Sequence, residues 1–300
     1  MRKMEIIKTI KEMKAFCSRA RGMGQTIAFV PTMGFFHEGH LSLMREGRRR
    51  GDVLIVSLFV NPTQFAPHED LKNYPRDFER DRQMAEGVGV DILFAPEVEE
   101  MYPSDHQTSV QVETVTRNLC GQSRPTHFRG VTTVVMMLFE IVTPHVAIFG
   151  EKDYQQLVTI RQMVRDLHSS VEVMGMPTVR EEDGLAMSSR NTHLLPEERK
   201  AALSLHRSLQ RANELLQKGE RRGSRILDEM NGILQSEPLV RPDYIQICDA
   251  DTLQEVDRIE GDVVVALAAY LGKTRLIDNL VFRNPSRVSH PTSQKDSAKD

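Results

Sequence analysis

Residues 26–40 read TIAFVPTMGFFHEGH. An apolar run, Ile27 to Val30, feeds a Pro31–Gly34 turn, and two histidines, His37 and His40, stand three apart where the next helix should start. A strand that turns into a helix N-terminus offers unpaired N–H groups and the positive end of a helix dipole, and so favours phosphate. Histidine side chains there add donors for the same anion. A zinc-hydrolase reading needs histidines four apart as HExxH. The order here is His-Glu-Gly-His, without an evident third ligand nearby.

The same alternation runs outward from this stretch. Residues 38–50 read as a helix, 53–60 (VLIVSLFV) as a buried strand, 77–87 as a helix and 91–94 as a strand. Residues 130–142 carry Val131, Val134, Val135, Leu138 and Ile141 on one helical face, followed by a strand at 145–149, a helix at 153–167 and a strand at 171–176. Ile6, Ile10, Met13 and Cys17 share a helical spacing, which predicts an opening amphipathic helix. Near-continuous β-branched strands between amphipathic helices indicate a Rossmann-like α/β fold, a doubly wound parallel sheet covered on both faces. Ligands in such sheets lie beyond the C-terminal strand ends, at the switch in strand order.

The pattern changes near residue 190. A long helix from Pro196 to about 217 and a second near 222–236 precede strands at 244–248, 263–271 and 275–282. This predicts domains at 1–187 and 188–285, the second a small α+β unit, and a disordered tail over Ser286–Asp300. With 300 residues, 40% apolar, the chain has enough material for two cores. Its net charge of −3 gives no basic surplus for nucleic acid, and no apolar run reaches membrane-spanning length. Cys17, Cys120 and Cys248 are odd in number and lack zinc spacing. The charged N-terminus is unlike a secretory signal, so a cytoplasmic protein is expected.

Four further segments follow strands or sit near them. Val60-Asn61-Pro62-Thr63-Gln64-Phe65 puts an amide at a strand end, where Gln64 offers donor and acceptor to a hydroxy acid. Phe149-Gly150-Glu151-Lys152-Asp153 repeats the strand, glycine turn and helix start. Gly150 permits close backbone approach, Asp153 is a candidate helix cap, and Lys152 is a mobile charge for phosphate oxygens. Gly184 to Asn191 holds two serines and Arg190 in a flexible loop suited to a triphosphate. The loop Arg124 to Gly130 is basic, and its His127 could be structural or touch ligand. Neither GxxxxGK[ST] nor a strand-following GxGxxG occurs.

In order and spacing, PTMGxxHxGH, VNPxQF, RPTHFxGV, FGEKDYQQ and DGLAMSSRN resemble the pantothenate synthetase (pantoate–β-alanine ligase) family, over residues 1 to about 285. HxGH and MSSR also look like the HIGH and KMSKS signatures of the wider adenylyl-transferring superfamily. Phe36 stands where that family often has Leu. Other HxGH nucleotidyltransferases lack the FGEKDYQQ and VNPxQF pair.

The resemblance implies ATP-dependent ligation through an acyl adenylate. It implies that Met33, Gly34, His37, His40, Gly150, Glu151, Lys152, Asp153, Val179, Met187, Ser188, Ser189 and Arg190 bind ATP. His40, His37 and Lys152 would be catalytic, with His40 as proton donor. Gln64 and Gln156 would bind pantoate, and Gln64 also β-alanine. Mg²⁺, held mostly by phosphate and water, and a homodimer are expected from the same resemblance.

Overall fold

The structure, a computed structural model, describes residues 4–67 and 69–284. The predicted tail Ser286–Asp300 lies outside the described residues.

Six parallel strands form the main sheet: β1 (Glu5–Ile7), β2 (Ile27–Thr32), β3 (Val53–Leu58), β4 (Ile92–Phe94), β5 (Val146–Gly150) and β6 (Glu172–Met176), in the order β1-β4-β3-β2-β5-β6. Alternation along β2 explains its two coats of helix. Ile27 and Phe29 face a core built with helices α1 (Ile10–Gly22), α6 (His127–Val142) and α7 (Tyr154–Asp166). Ala28 and Val30 face the opposite core, with α2 (Glu38–Arg50) and α3 (Phe78–Gly87). Two short helices, α4 (Val98–Met101) and α5 (Cys120–Ser123), lie between β4 and α6. Strand order reverses between β2 and β5, which opens a crevice above their C-terminal ends.

After β6 the chain builds α8 (Pro196–Ala201), α9 (Leu203–Gln217) and α10 (Gly223–Gln235), then the antiparallel strands β7 (Val240–Asp249), β8 (Val263–Leu271) and β9 (Thr274–Phe282). One face of this small sheet, with Val265, Leu267 and Ala269, packs on α9 and α10. The other face sends Val264 and Ala266 into the large core, so the two layers share one apolar interior.

Three expectations are corrected. Ile6 belongs to β1, which pairs with β4, and the opening helix starts only at Ile10. Thr9, whose hydroxyl accepts the Glu12 N–H, marks that start. The long helix from Pro196 is split at Ala202 into α8 and α9. β7 begins at Val240, earlier than the apolar run suggests, and a register shift accommodates Pro242. Leu185, just before the proposed boundary at 187, already packs in the second core.

Candidate active site

A cavity of about 940 Å³ opens at the β2–β5 crevice, between the large domain and the small sheet. Its floor is the C-terminal ends of β2, β3 and β5, represented by Thr32, Phe59 and Phe149.

The turn after β2 is held in an unusual shape. Gly34 (φ +85°) and Phe35 (φ +51°) both adopt left-handed backbone, costly for the phenylalanine. The buried Asp81 of α3 offsets that cost. Its carboxylate accepts the N–H groups of Phe35 and Phe36 at 2.6 and 2.7 Å. Burial pushes the Asp81 carboxyl up, against the pull of those two donors. A side chain at Gly34 would meet Asp81 Oδ2 at 3.0 Å.

At the α2 N-terminus the two histidines lock one another. His37 Nδ1 accepts the Gly39 N–H at 3.2 Å, and His40 Nδ1 accepts the His37 N–H at 3.4 Å. Their rings lie 4.1 Å apart, centre to centre. With each Nδ1 an acceptor, each neutral ring carries its proton on Nε2. Burial, then Lys152, pushes His37 down to about 4; burial, then His37, holds His40 well below the usual imidazole range. Both rings therefore offer an Nε2–H donor at neutral pH and are not acids there.

Gln64 is placed by three segments. Its side chain accepts from Asn61 Nδ2 at 3.1 Å and donates to Met33 Sδ at 3.0 Å. Its backbone carbonyl accepts from Arg124 Nη2 at 3.2 Å and lies 2.9 Å from His127 Nδ1. Asn61 also donates to the Gly130 carbonyl, and a Cβ on Gly130 would sit 2.5 Å from the Thr63 carbonyl oxygen. His127 is thus a support for Gln64 that also lines the cavity. Burial, with Arg124 next, lowers its pKa to about 4.

After β5, Gly150 to Asp153 turn at the cavity edge. Lys152 and Asp153 line it, and no ion pair ties the ammonium group of Lys152 to a described residue. Asp153 occupies the N-cap position of α7 but makes no side-chain capping bond, which corrects the predicted cap. The adjacent glutamines differ. Gln155 is buried and bonds Cys120 N, Val115 O and Asn118 O, whereas Gln156 lines the cavity without a side-chain hydrogen bond to the described residues.

On the opposite wall, Val179 and the segment Met187–Arg190 close the cavity. The Val179 carbonyl accepts the Met187 N–H at 3.0 Å. Ser189 Oγ donates to the Phe35 carbonyl at 3.3 Å, which joins this segment to the turn after β2. Arg190 makes two bonds to Asp70, at 2.7 and 3.0 Å, and Arg124 likewise pairs with Glu69 at 2.7 and 2.6 Å. Burial alone would raise both carboxyls, but the guanidinium partners outweigh it and both stay below the usual range.

Of the sequence-derived residues, Met33, His37, His40, Gln64, Gly150, Lys152, Asp153, Gln156, Val179, Met187, Ser188, Ser189 and Arg190 all line this one cavity. Gly34 and Glu151 are not among its lining residues; each belongs to a turn whose neighbours are. Sequence reasoning missed the supports: Asp81, Glu69, Asp70 and the β9 pair Asp278-Asn279. The last carries a readable signal, two polar residues interrupting the apolar strand TRLIDNLVF. No cluster of three or more metal-ligating side chains occurs among the described residues. Among them, no helix is long and apolar enough to cross a membrane.

The family model described as pantoate-β-alanine ligase matches residues 5–281. The pantothenate synthetase of Syntrophus aciditrophicus is 57% identical over 279 residues, 93% of this chain and 98% of that protein. The crystal structure of pantothenate synthetase from Thermus thermophilus superposes with a TM-score of 0.88 at 47% identity, covering 92% of this chain and 99% of that one. The pantoate-β-alanine ligase of Francisella tularensis, solved in complex with β,γ-ATP and β-alanine, matches at TM-score 0.76 and 33% identity, over 93% and 98% of the two chains.

Proposed function

The chain belongs to the pantoate-β-alanine ligase family, and on that premise we propose how its cavity divides the work of ATP-dependent pantothenate formation. In the first step the pantoate carboxylate attacks the α-phosphorus of ATP, forming pantoyl adenylate and releasing pyrophosphate. In the second, the β-alanine amine attacks the acyl carbon, the amide bond forms, and AMP leaves as the amine loses its proton.

Negative charge grows on phosphate oxygens in the first step, so fixed donors are the main catalytic resource. The Nε2–H groups of His37 and His40, the Lys152 ammonium group and the Ser188–Arg190 segment take that role. Met33, Gly150, Asp153, Val179 and Met187 line the nucleotide, with Gly34 and Glu151 shaping the turns that present their neighbours to it. Phosphate charge raises the pKa of any imidazole it approaches, so His40 becomes a proton donor only with ATP beside it. Gln64 and Gln156 take the pantoate hydroxyls and carboxylate, and Gln64 borders β-alanine. Neutral amides bind the carboxylate without quenching it as an ion pair would.

Mg²⁺ fits a site of this kind through phosphate oxygens and water. Glu69, Asp70 and Asp278 are each committed to an arginine, while Asp153 carries no such pair among the described residues. When bound, the ion neutralises phosphate charge. A homodimer and a cytoplasmic setting are carried from the family.

One observation supports this reading above others. Two neutral amides and a set of phosphate donors, drawn from four separate segments, line a single cavity at the switch in strand order. Incubation with ATP, Mg²⁺, pantoate and β-alanine should give AMP and pyrophosphate in step with pantothenate. ADP with phosphate, or turnover without pantoate, would refute it.

A further inference from the structure

Asn279 lies in β9, 7% exposed, in a strand that is otherwise mostly apolar. Its Nδ2 donates to the carbonyl of Glu151 and to the carbonyl of Lys152, each at 2.9 Å. Both protons of one amide are therefore spent on two successive peptides of the turn that carries Lys152. That turn is a single 3-10 turn between β5 and α7, and Asp153 gives it no side-chain cap.

The neighbouring residue anchors the strand to the other side of the cavity. Asp278 is 3% exposed and accepts both Arg180 Nη1 and Nη2, at 2.7 and 2.9 Å. Arg180 Nη1 also donates to the Gly184 carbonyl, and so braces the hairpin that leads into Met187–Arg190. The Asn279 N–H closes the link by donating to Asp278 Oδ1 at 2.8 Å. Successive residues of a strand point to opposite faces, which lets one dipeptide grip two elements. A buried carboxylate and a buried amide inside an apolar strand are costly unless bonded; Asp278 is held by Arg180 and the Asn279 N–H, and both amide protons of Asn279 are used.

We propose that Asn279 is a positioning residue for the ligation: it fixes the Lys152 turn from the small sheet and so sets where the ammonium group meets the phosphates. This rests on the assignment of Lys152 to phosphate made above. Asn279 also borders the cavity, but both protons of its amide are held by the turn, so its effect passes through the turn.

The test is a double-mutant cycle on the intact protein, read as pantoate-dependent exchange of labelled pyrophosphate into ATP. Lys152→Ala should slow exchange by roughly 10²–10³-fold, as for loss of one transition-state donor. Asn279→Ala should slow it by about 10–100-fold, the scale of a slightly misplaced group, with the KM for pantoate unchanged. Added to Lys152→Ala, the same substitution should cost less than about twofold, because the group it positions is gone. If Asn279→Ala does not fold, Asn279→Ser, which is smaller and too short to bridge both carbonyls, is read in the same cycle. An equal loss in both backgrounds, or no loss alone, would overturn the positioning role while leaving Lys152 in place. Near-normal exchange by Lys152→Ala would instead overturn the phosphate assignment and the inference with it.

Discussion

At the scale of the residue, the same side chain type does opposite jobs at adjacent positions. Gln155 makes three side-chain hydrogen bonds, two of them buried, and Gln156 makes none to the described residues, though both stand in one DYQQ motif. Gln155→Ala should therefore destabilise the fold by about 1–3 kcal/mol through orphaned buried groups. Gln156→Ala should leave the melting temperature alone and raise the pantoate KM about tenfold, the scale of one lost hydrogen bond to a charged group. Thermal melts beside pantoate titrations of the two variants check this; a reversed pattern would contradict it. That the motif belongs at the cavity was legible in sequence, but the division of labour within it was not, because helical neighbours diverge by about 100° and only packing says which one turns inward.

The buried histidines make a second residue-scale prediction. His37 and His127 fall to about 4 when folded, from an ordinary value of 6.5, and His40 shifts the same way. Between those limits the unfolded chain binds more protons than the folded one, so stability rises with pH. It is complete above about 6.5 and is lost as pH falls toward 4. His127→Asn should flatten that slope in denaturant titrations; a slope equal to that of the unsubstituted chain would show that His127 does not titrate in this window.

At the scale of the element, the site is a set of strand ends and helix starts held in register by contacts the sequence does not advertise. α6 packs so closely on the segment after β3 that a Cβ at Gly130 would lie 2.5 Å from the Thr63 carbonyl oxygen and 2.6 Å from the Gln64 nitrogen. Helix propensity alone predicts that Gly130→Ala stabilises by about 1 kcal/mol. The clash is with backbone, which cannot swing aside, and overpacking of this kind costs about 1–3 kcal/mol. The clash wins, so Gly130→Ala should lower the melting temperature and weaken pantoate binding by displacing Gln64. A raised melting temperature with unchanged pantoate KM would contradict this. The longer strands and helices were legible in the pattern of apolar residues; the one-turn helices α4 and α5 were not, nor was β1, which is three residues long and overlaps a helical spacing with α1. The break at Ala202 and the early start of β7 had no local signal, since both are imposed by packing on the second core.

At the scale of the whole molecule, the cavity exists because two layers meet. The parallel sheet supplies the histidine pair, Gln64, Lys152 and Gln156; the segment after β6 supplies Val179 and Met187–Arg190; the small sheet supplies the brace. The ordered motifs gave away the cavity wall because most sit at a strand end or helix start, where an open α/β sheet places its crevice. The carboxylates that brace it, Asp81 from outside the lining and Asp70 and Asp278 from within it, were hidden because an isolated acidic residue looks the same in sequence whether solvated or paired. Only the fold brings Asp70 to Arg190, 120 positions away.

The central claim is that this cavity activates pantoate as an adenylate before β-alanine takes part. Exchange of labelled pyrophosphate into ATP, with Mg²⁺ present and β-alanine omitted, tests it most directly. The expected result is exchange that appears with pantoate and vanishes without it. Exchange that ignores pantoate, or that appears only once β-alanine is added, would contradict it.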